Sequence, residues 1–260
     1  MNGAYAIPRV SPRLVPVWRR NFLVWRKLAV PSMLGNLGDP LIYMLGLGYG
    51  LGAFLPEVGG VPYIVFLAAG TVCFSVMNSA TFEALYSSFS RMHVQKTWDS
   101  ILNAPIALDD VVAAELAWCA AKSFLSGLAI MIVIWALGLT SSALSLWVLA
   151  AVPLIGLAFG ALALIATALS PSYDFFMYYF TLFVTPMGML CGVFYPIDAL
   201  PAALQAVSWV LPLTHATELV RPLILGQIPE HAVLNVAVLL AYALAGFYAA
   251  MILFRRRLLR

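Results

Sequence analysis

The chain has 260 residues, of which 63% are hydrophobic and 10% are charged, and its mean hydropathy is +0.96. This composition excludes a soluble globular domain and indicates an integral membrane protein. The net charge of +3 comes from clustered basic residues, which favours anionic lipid headgroups over nucleic acid as partners, and Cys73, Cys119 and Cys191 lack the spacing of a metal or redox site.

The first 31 residues predict an amphipathic helix that lies in the membrane interface. Apolar and basic side chains recur there at helical spacing, which would be accidental in a disordered basic tail. Tryptophans at headgroup depth and snorkelling basic side chains would fix the height of such a helix. The apolar set is Leu14, Trp18, Phe22, Trp25 and Ala29, and the basic set is Arg13, Arg19, Arg20, Arg26 and Lys27.

Hydropathy predicts an all-α protein with six membrane-spanning helices in a single domain, residues 1–260. Each apolar run is close to the ~20 residues that cross ~30 Å of hydrocarbon. The predicted spans are residues 32–55, 63–85, 113–139, 146–169, 175–195 and 233–254, and the outer connections are residues 56–62, 140–145 and 196–231.

The basic residues predict the orientation of these spans. Twelve of the 14 lysines and arginines lie in the N-terminal segment, the 91–115 connection or the C-terminal tail. The positive-inside rule therefore predicts that both termini and that connection face the cytoplasm, in the inner (plasma) membrane.

The first span contains an acid, Asp39, directly before Pro40. A carboxylate at mid-span is costly unless it faces protein or water, which makes Asp39 a candidate pathway residue. If the span begins later, Asp39 lies near the cytoplasmic interface and caps a helix instead.

Residues 91–112 form the long polar connection between the second and third spans. Read as a helix, the segment carries an apolar stripe, while Arg91, Gln95 and Asp99 lie toward the other face. Pro105 ends this helix, and carboxylates follow where the next one begins, which suits the helix dipole. An ordinary surface helix between two spans is the alternative interpretation. The stripe is Val94, Trp98, Ile101 and Leu102, and the carboxylates are Asp109 and Asp110.

Two charged residues lie within or next to the third span. Glu115 and Lys122 are seven residues apart, hence on one helix face, and either could pair with a partner on another helix. The chain has too few titratable groups at depth to favour a proton relay.

Residues 196–231 predict a re-entrant hairpin on the outer side. Pro212 divides the segment into two pieces that are too short to span. His215, Glu218 and Arg221 follow on the second piece as candidate gate residues. A His-x-x-Glu pair alone is a weak metal signal, and a Glu218–Arg221 ion pair is the favoured interpretation.

No nucleotide-binding, catalytic or metal-binding motif is recognisable. The only Lys-Ser pair, Lys122-Ser123, follows alanine inside an apolar helix and does not end a Gly-rich loop. Energy for active transport would therefore have to come from another polypeptide or from an ion gradient.

Four strings, in this order, resemble the ABC-2 type permeases of ATP-binding cassette exporters, and among them the NodJ-like group associated with nodulation-factor (lipo-chitooligosaccharide) export. They extend through most of the chain. The strings are NLGDPLIYMLGLGYGLG (36–52), TWDSILNAPI (97–106), SPSYDFFMYYFTLFVTPMGMLCGVFYPIDALP (170–201) and PLTHATELVRPLILG (212–226).

The resemblance implies that residues 91–105 form a coupling helix that fits a groove of a separate ATPase subunit, which would hold ATP and Mg. It also implies two permease and two ATPase copies, and an amphiphilic cargo such as a lipid-linked glycan. Tyr178 and Tyr179 would offer stacking faces to sugars or simply pack. Exporters of drugs or polysaccharide, a gradient-driven carrier and an intramembrane lipid-modifying enzyme are the alternatives. The implied coupling residues are Val94, Thr97, Trp98, Ile101 and Leu102.

Overall fold

The protein is mostly helical, and its helices are arranged as a bundle with one polar and one irregular end. The computed structural model describes residues 5–258, apart from the side chains of residues 36 and 39. The helices are α1 (Leu14–Arg26), α2 (Ala29–Ile42), α3 (Tyr63–Val94), α4 (Thr97–Leu102), α5 (Leu108–Ala136), α6 (Ala143–Leu169), α7 (Phe175–Leu190), α8 (Ala202–Val210), α9 (Pro212–Leu225) and α10 (Ala232–Leu258). A small antiparallel pair, β1 (Glu57–Val58) and β2 (Val61–Pro62), follows α2.

Four helices of the described chain, α3, α5, α6 and α10, are long and apolar enough to cross a membrane. They correspond to the second, third, fourth and sixth predicted spans. The first predicted span is α2, which continues through a π-helical turn at Tyr43–Leu47 to Gly50. The fifth is the shorter helix α7, because Gly192 (φ 71°) turns the chain soon after Leu190. The total of six spans stays a prediction.

Several helices extend beyond the predicted hydrophobic runs. Helix α3 continues to Val94 through two π-helical turns, Glu83–Ser88 and Ser90–Val94, and α5 begins at Leu108. Hydropathy does not extend the span beyond Leu85 because most of the residues from Tyr86 to Gln95 are polar or charged. π-Helical turns frequently occur at functional sites, and here both carry charged side chains.

Helix α6 lies at the centre of the bundle, where it packs against α3, α5 and α10. Small residues permit the close approach: a Cβ on Gly156 would lie 2.7 Å from the Ser123 Cβ, and one on Gly160 would lie 2.9 Å from the Cys119 Cβ. Because lipid tails are as apolar as leucine, such close packing is what holds spanning helices together.

The irregular end of the bundle contains α8, α9 and the β1–β2 turn. Helices α8 and α9 meet at Leu211 and Pro212, as the proline punctuation predicts. The Thr217 hydroxyl donates to the Cys191 carbonyl, which attaches α9 to the end of α7. The re-entrant placement of this hairpin stays a prediction.

Gly70 on α3 is expected to tolerate no side chain. A Cβ at Gly70 would lie 2.3 Å from the Val193 carbonyl oxygen and 2.8 Å from its Cα, and backbone atoms cannot rotate away. We expect Gly70→Ala to lower the free energy of unfolding by about 1–3 kcal/mol. Thermal unfolding of purified protein measures this, with Gly46→Ala as the control because nothing lies within 4 Å of its Cβ position. Equal midpoints for the two variants would contradict the packing.

Candidate functional site

The polar end of the bundle, which we call the basic end, brings together distant parts of the chain. Helices α1 and α4, the C-terminal end of α3, the start of α5 and the last turns of α10 meet there. The Trp98 ring lies 5.1 Å from the Phe254 ring, which connects α4 to α10.

Four charged side chains form a buried cluster at this end, which we call the charged cluster: Glu83 and Arg91 on α3, Glu115 and Lys122 on α5. Arg91 Nη2 lies 2.8 Å from Glu83 Oε1 and also pairs with Glu115, and Lys122 Nζ lies 2.7 Å from Glu83 Oε2. Glu83 and Glu115 are 2% and 1% exposed. The cluster balances two acids with two bases, and such buried charges are tolerated only when they are fully paired.

Glu115 is the hub of this cluster because four side chains from three helices donate to its carboxylate. Asn21 of α1 donates at 3.2 Å and Trp98 Nε1 of α4 at 3.3 Å. Ser88 Oγ and Arg91 Nε of α3 donate at 2.8 and 3.0 Å. One carboxylate of α5 therefore connects α1, α3 and α4.

The sequence had indicated part of this cluster. The sequence left open whether Glu115 or Lys122 pairs with another helix, and both do, through Arg91 and Glu83. Glu83 and Asn21 were missed as cluster members. An acid inside the predicted 63–85 span is itself a functional signal, and it would have identified Glu83.

Helix α1 forms as predicted, but its aromatic face packs against protein. The rings of Trp18, Phe22 and Trp25 lie 6.0, 6.3 and 6.0 Å from the Trp118 ring of α5. Trp118 Nε1 in turn donates to Glu83 at 3.0 Å. These aromatic contacts couple α1 to the charged cluster, whereas Arg19 on the opposite face is exposed.

The predicted continuous helix over residues 91–105 is wrong, because Lys96 adopts a left-handed conformation (φ 50°) that separates α3 from α4. Because of this break, the side chains of the predicted apolar stripe do not lie on one face: Val94 is 60% exposed, whereas Trp98 is fully buried. Ile101 and Leu102 are half-buried, and so is Thr97. In this conformation Trp98 anchors α4 to the bundle, and the exposed surface lies around Val94.

The start of α5 holds the N-terminal segment in place. Helix α5 begins at Leu108 with Asp109 and Asp110 in its first turn, which confirms the predicted start. The Arg9 amide donates to Asp109 at 2.8 Å, and the Ser11 amide donates to Asp110 at 2.6 Å. Arg255 of α10 pairs with Asp109 at 2.6 Å, an interaction that sequence spacing does not indicate.

Two openings lie on the same side of α3. A cleft of about 410 Å³ at the basic end, which we call the polar cleft, is lined by Arg20, Asn21, Val24, Tyr86, Ser87, Ser90, Arg91, Gln95 and Tyr173. A groove of about 490 Å³ further along α3, which we call the central groove, is lined by Gly35, Pro40, Tyr43, Phe74, Ser75, Asn78, Ser79, Phe82, Ser126, Phe180, Val184 and Thr185. The Ser79 hydroxyl is buried without a hydrogen-bond partner among the described residues.

The polar cleft contains one arginine that is not paired with an acid. Arg20 Nη1 donates to Asn21 Oδ1 at 3.0 Å and Nη2 to Thr97 Oγ1 at 3.4 Å, with no carboxylate in ion-pair distance among the described side chains. Burial lowers the pKa of the Arg20 guanidinium, and the positive charge of Arg91 lowers it further.

The other predicted pathway residues are not brought together. Tyr178 and Tyr179 line a separate, apolar cavity of about 500 Å³ between α6, α7 and α10, where Tyr179 packs on Phe183 at 5.4 Å. Asp39 belongs to α2, near the groove residues Gly35 and Pro40, but its side chain lies outside the described part of the structure.

The predicted Glu218–Arg221 ion pair is not formed. Arg221 instead donates to the Gly192 carbonyl, and its guanidinium lies 3.9 Å from the centre of the Phe66 ring. Six residues before Arg221 on α9, His215 contacts Asn235 Oδ1 at 2.9 Å and the Trp209 carbonyl at 3.0 Å. No group of three potential metal ligands occurs among the described residues.

We expect Arg221→Gln to lower the free energy of unfolding by roughly 2 kcal/mol, because it removes a charged hydrogen bond and a desolvated cation–π contact. Glu218→Gln is the matched control and should change it by less than about 0.5 kcal/mol. Thermal unfolding of both variants provides the measurement. A larger decrease in the free energy of unfolding for Glu218→Gln than for Arg221→Gln would instead indicate that a Glu218–Arg221 ion pair stabilises the hairpin.

Comparison with known proteins gives a consistent result. The family described as ABC-2 type transporter matches residues 14–225. The chain is 46% identical to Nodulation protein J of Rhizobium meliloti (strain 1021), over 98% of this chain and 97% of that protein. It is 45% identical to Nodulation protein J of Bradyrhizobium diazoefficiens over the full length of both. It is 22% identical to the Inner membrane transport permease YadH of Escherichia coli (strain K12), over 94% of each chain.

Proposed function

Because the chain belongs to the ABC-2 type transporter family, and is a transport permease of the membrane, we propose that it is the spanning subunit of an ATP-driven exporter. A separate ABC ATPase with ATP and Mg supplies the energy. The complex contains two permease and two ATPase copies in the inner membrane, with both termini of this chain in the cytoplasm.

The observation that carries this proposal is the Glu115 hub. Movement of α4 by a partner displaces Trp98, and Trp98 is bonded to the same carboxylate as Arg91 of α3. Because a buried charge pair cannot separate without a large cost, α1, α3, α4 and α5 move together. Movement of α4 at the basic end is therefore transmitted to α3, which lines the central groove.

The exposed surface of the basic end offers the docking region for the ATPase. Val94 is 60% exposed and lies next to Lys96 and Asp99, which are also exposed. The cytoplasmic placement of this end follows from its basic residues, which attract anionic lipid headgroups as well.

For the cargo we propose an amphiphile, a lipo-oligosaccharide or another lipid-linked glycan. The similarity to Nodulation protein J supports this class. The openings on α3 support it also, because Ser75, Asn78 and Ser79 provide polar contacts beside the rings of Phe74 and Phe82. An amphiphile needs both kinds of surface.

The experiment is affinity purification of the tagged chain in mild detergent, followed by mass spectrometry and an ATPase assay. We expect a stoichiometric ABC ATPase with vanadate-sensitive hydrolysis. Recovery of the chain alone, from membranes that contain a candidate ATPase, would contradict the proposal and favour a gradient-driven carrier.

A further inference from the structure

The polar cleft has the dimensions and lining of a small-molecule site. Its volume of about 410 Å³ lies within the range of roughly 300–1,000 Å³ for ligand pockets. It opens between α1, the C-terminal turns of α3 and Tyr173, which precedes α7.

The charges of the cleft argue against an anionic ligand. Arg91 is already neutralised by Glu83 and Glu115, and Arg20 is the single cation of the lining without an acid partner among the described side chains. The remaining polar groups, among them Ser87 and Gln95, are neutral donors and acceptors. A phosphate would need more free positive charge than this.

The aromatic side chains of the cleft provide faces for a ring. Tyr86 and Tyr173 are stacked on each other, with 6.1 Å between ring centres and 12° between their planes, and Phe82 is stacked on Tyr86 at 5.4 Å, so that Tyr173 is the more open of the two rings. Tyr173 is 38% exposed. A sugar ring has apolar C–H faces and hydroxyl groups at its edges, so that aromatic faces next to neutral donors match both of its surfaces.

The polar cleft is connected to the central groove by a row of aromatic rings. Phe82 lies 5.4 Å from Tyr86 and 4.6 Å from Phe180. Phe82 and Phe180 both line the central groove. A ligand whose polar ring occupies the cleft can therefore extend an apolar chain along these rings into the groove.

We propose that the polar cleft binds the saccharide headgroup of the transported amphiphile before translocation. The sugar ring packs on the stacked Tyr86–Tyr173 pair, chiefly on the more exposed Tyr173, and its hydroxyl groups bond to Arg20, Ser87 and Gln95. The transport role rests on the proposed function, whereas the binding itself requires only this chain.

Saturation-transfer difference NMR tests this site with the full chain in lipid nanodiscs and two soluble probes, maltotetraose and chitotetraose. We expect transfer from protein to the sugar ring protons for at least one probe. The double variant Tyr86→Leu/Tyr173→Leu should weaken it at least about fivefold, since each aromatic face contributes a modest part of the affinity. Tyr86→Phe/Tyr173→Phe keeps both faces and should retain most of the signal.

A second variant closes the cleft without removing either ring. Ser87 has no side-chain hydrogen bond to another described residue, so Ser87→Trp fills the space and should abolish the transfer. Tyr49→Leu, at an exposed tyrosine outside the cleft, is the control and should leave it unchanged.

Several results would overturn the inference: no transfer from the wild-type chain with either sugar, equal transfer from the wild type and Ser87→Trp, or displacement of the sugar by millimolar inorganic phosphate, which would indicate an anion site. If the chain binds sugar but no ATPase co-purifies with it, the sugar site in the polar cleft is supported, whereas the proposed exporter function is refuted.

Discussion

Replacing Glu115 with glutamine is expected to lower the free energy of unfolding by about 3 kcal/mol, because it leaves the Arg91 guanidinium with one acid instead of two in a buried site. The new amide would also point donor hydrogens at Asn21, Ser88 or Trp98, which are donors themselves. For a chain of this size the thermal midpoint should fall by roughly 6–12 °C.

Two further variants test whether the loss of stability comes from the buried charge of Glu115 rather than from the removal of a carboxylate in general. Asp99→Asn removes an exposed carboxylate of α4 and should leave the midpoint unchanged. The double variant Arg91→Met/Glu115→Gln should recover at least about 1 kcal/mol relative to Glu115→Gln, since residues in one network are not additive. A Glu115→Gln protein as stable as the wild type would show that the hub is not energetically important.

The second large effect is expected at Trp98. Its side chain is fully buried, its ring packs on Phe254 and its Nε1 donates to Glu115. Trp98→Ala should therefore lower the free energy of unfolding by about 3–5 kcal/mol. Trp98→Phe keeps most of the packing and should lower the free energy of unfolding by about 1 kcal/mol, because the hydrogen bond to Glu115 is lost.

Val94 is the contrasting position, because it is exposed and contributes little to the fold. We expect Val94→Asp to change stability by less than about 0.5 kcal/mol. It should nevertheless reduce the recovery of the ATPase in an affinity purification at least about tenfold, since it places a charge in an apolar contact. Normal stability of Trp98→Ala together with loss of the ATPase would mean that Trp98 contacts the partner directly, as the unbroken stripe had indicated.

The sequence predicted those elements whose pattern is local. The apolar runs located α3, α5, α6 and α10, and the alternation of apolar and basic residues located α1. Pro212 and the paired aspartates at 109 and 110 marked helix starts correctly, because these residues act on the backbone of their own turn.

What could not be predicted depends on long-range contacts. The left-handed conformation of Lys96 separates α3 from α4, and no glycine marks it in the sequence. Glu83 and Glu115 are 32 positions apart, and only the folded bundle places both against Arg91. The same is true of Arg221, which contacts Gly192 and Phe66 rather than the acid three residues before it.

The most direct measurement is transport by the purified permease and ATPase in proteoliposomes, with a fluorescent lipid-linked oligosaccharide. We predict accumulation of the glycolipid on the side opposite the ATPase with ATP and Mg, none with a non-hydrolysable analogue, and a strongly reduced rate for Glu115→Gln despite continued ATP hydrolysis. Glycolipid movement that needs an ion gradient but no ATP would contradict the account.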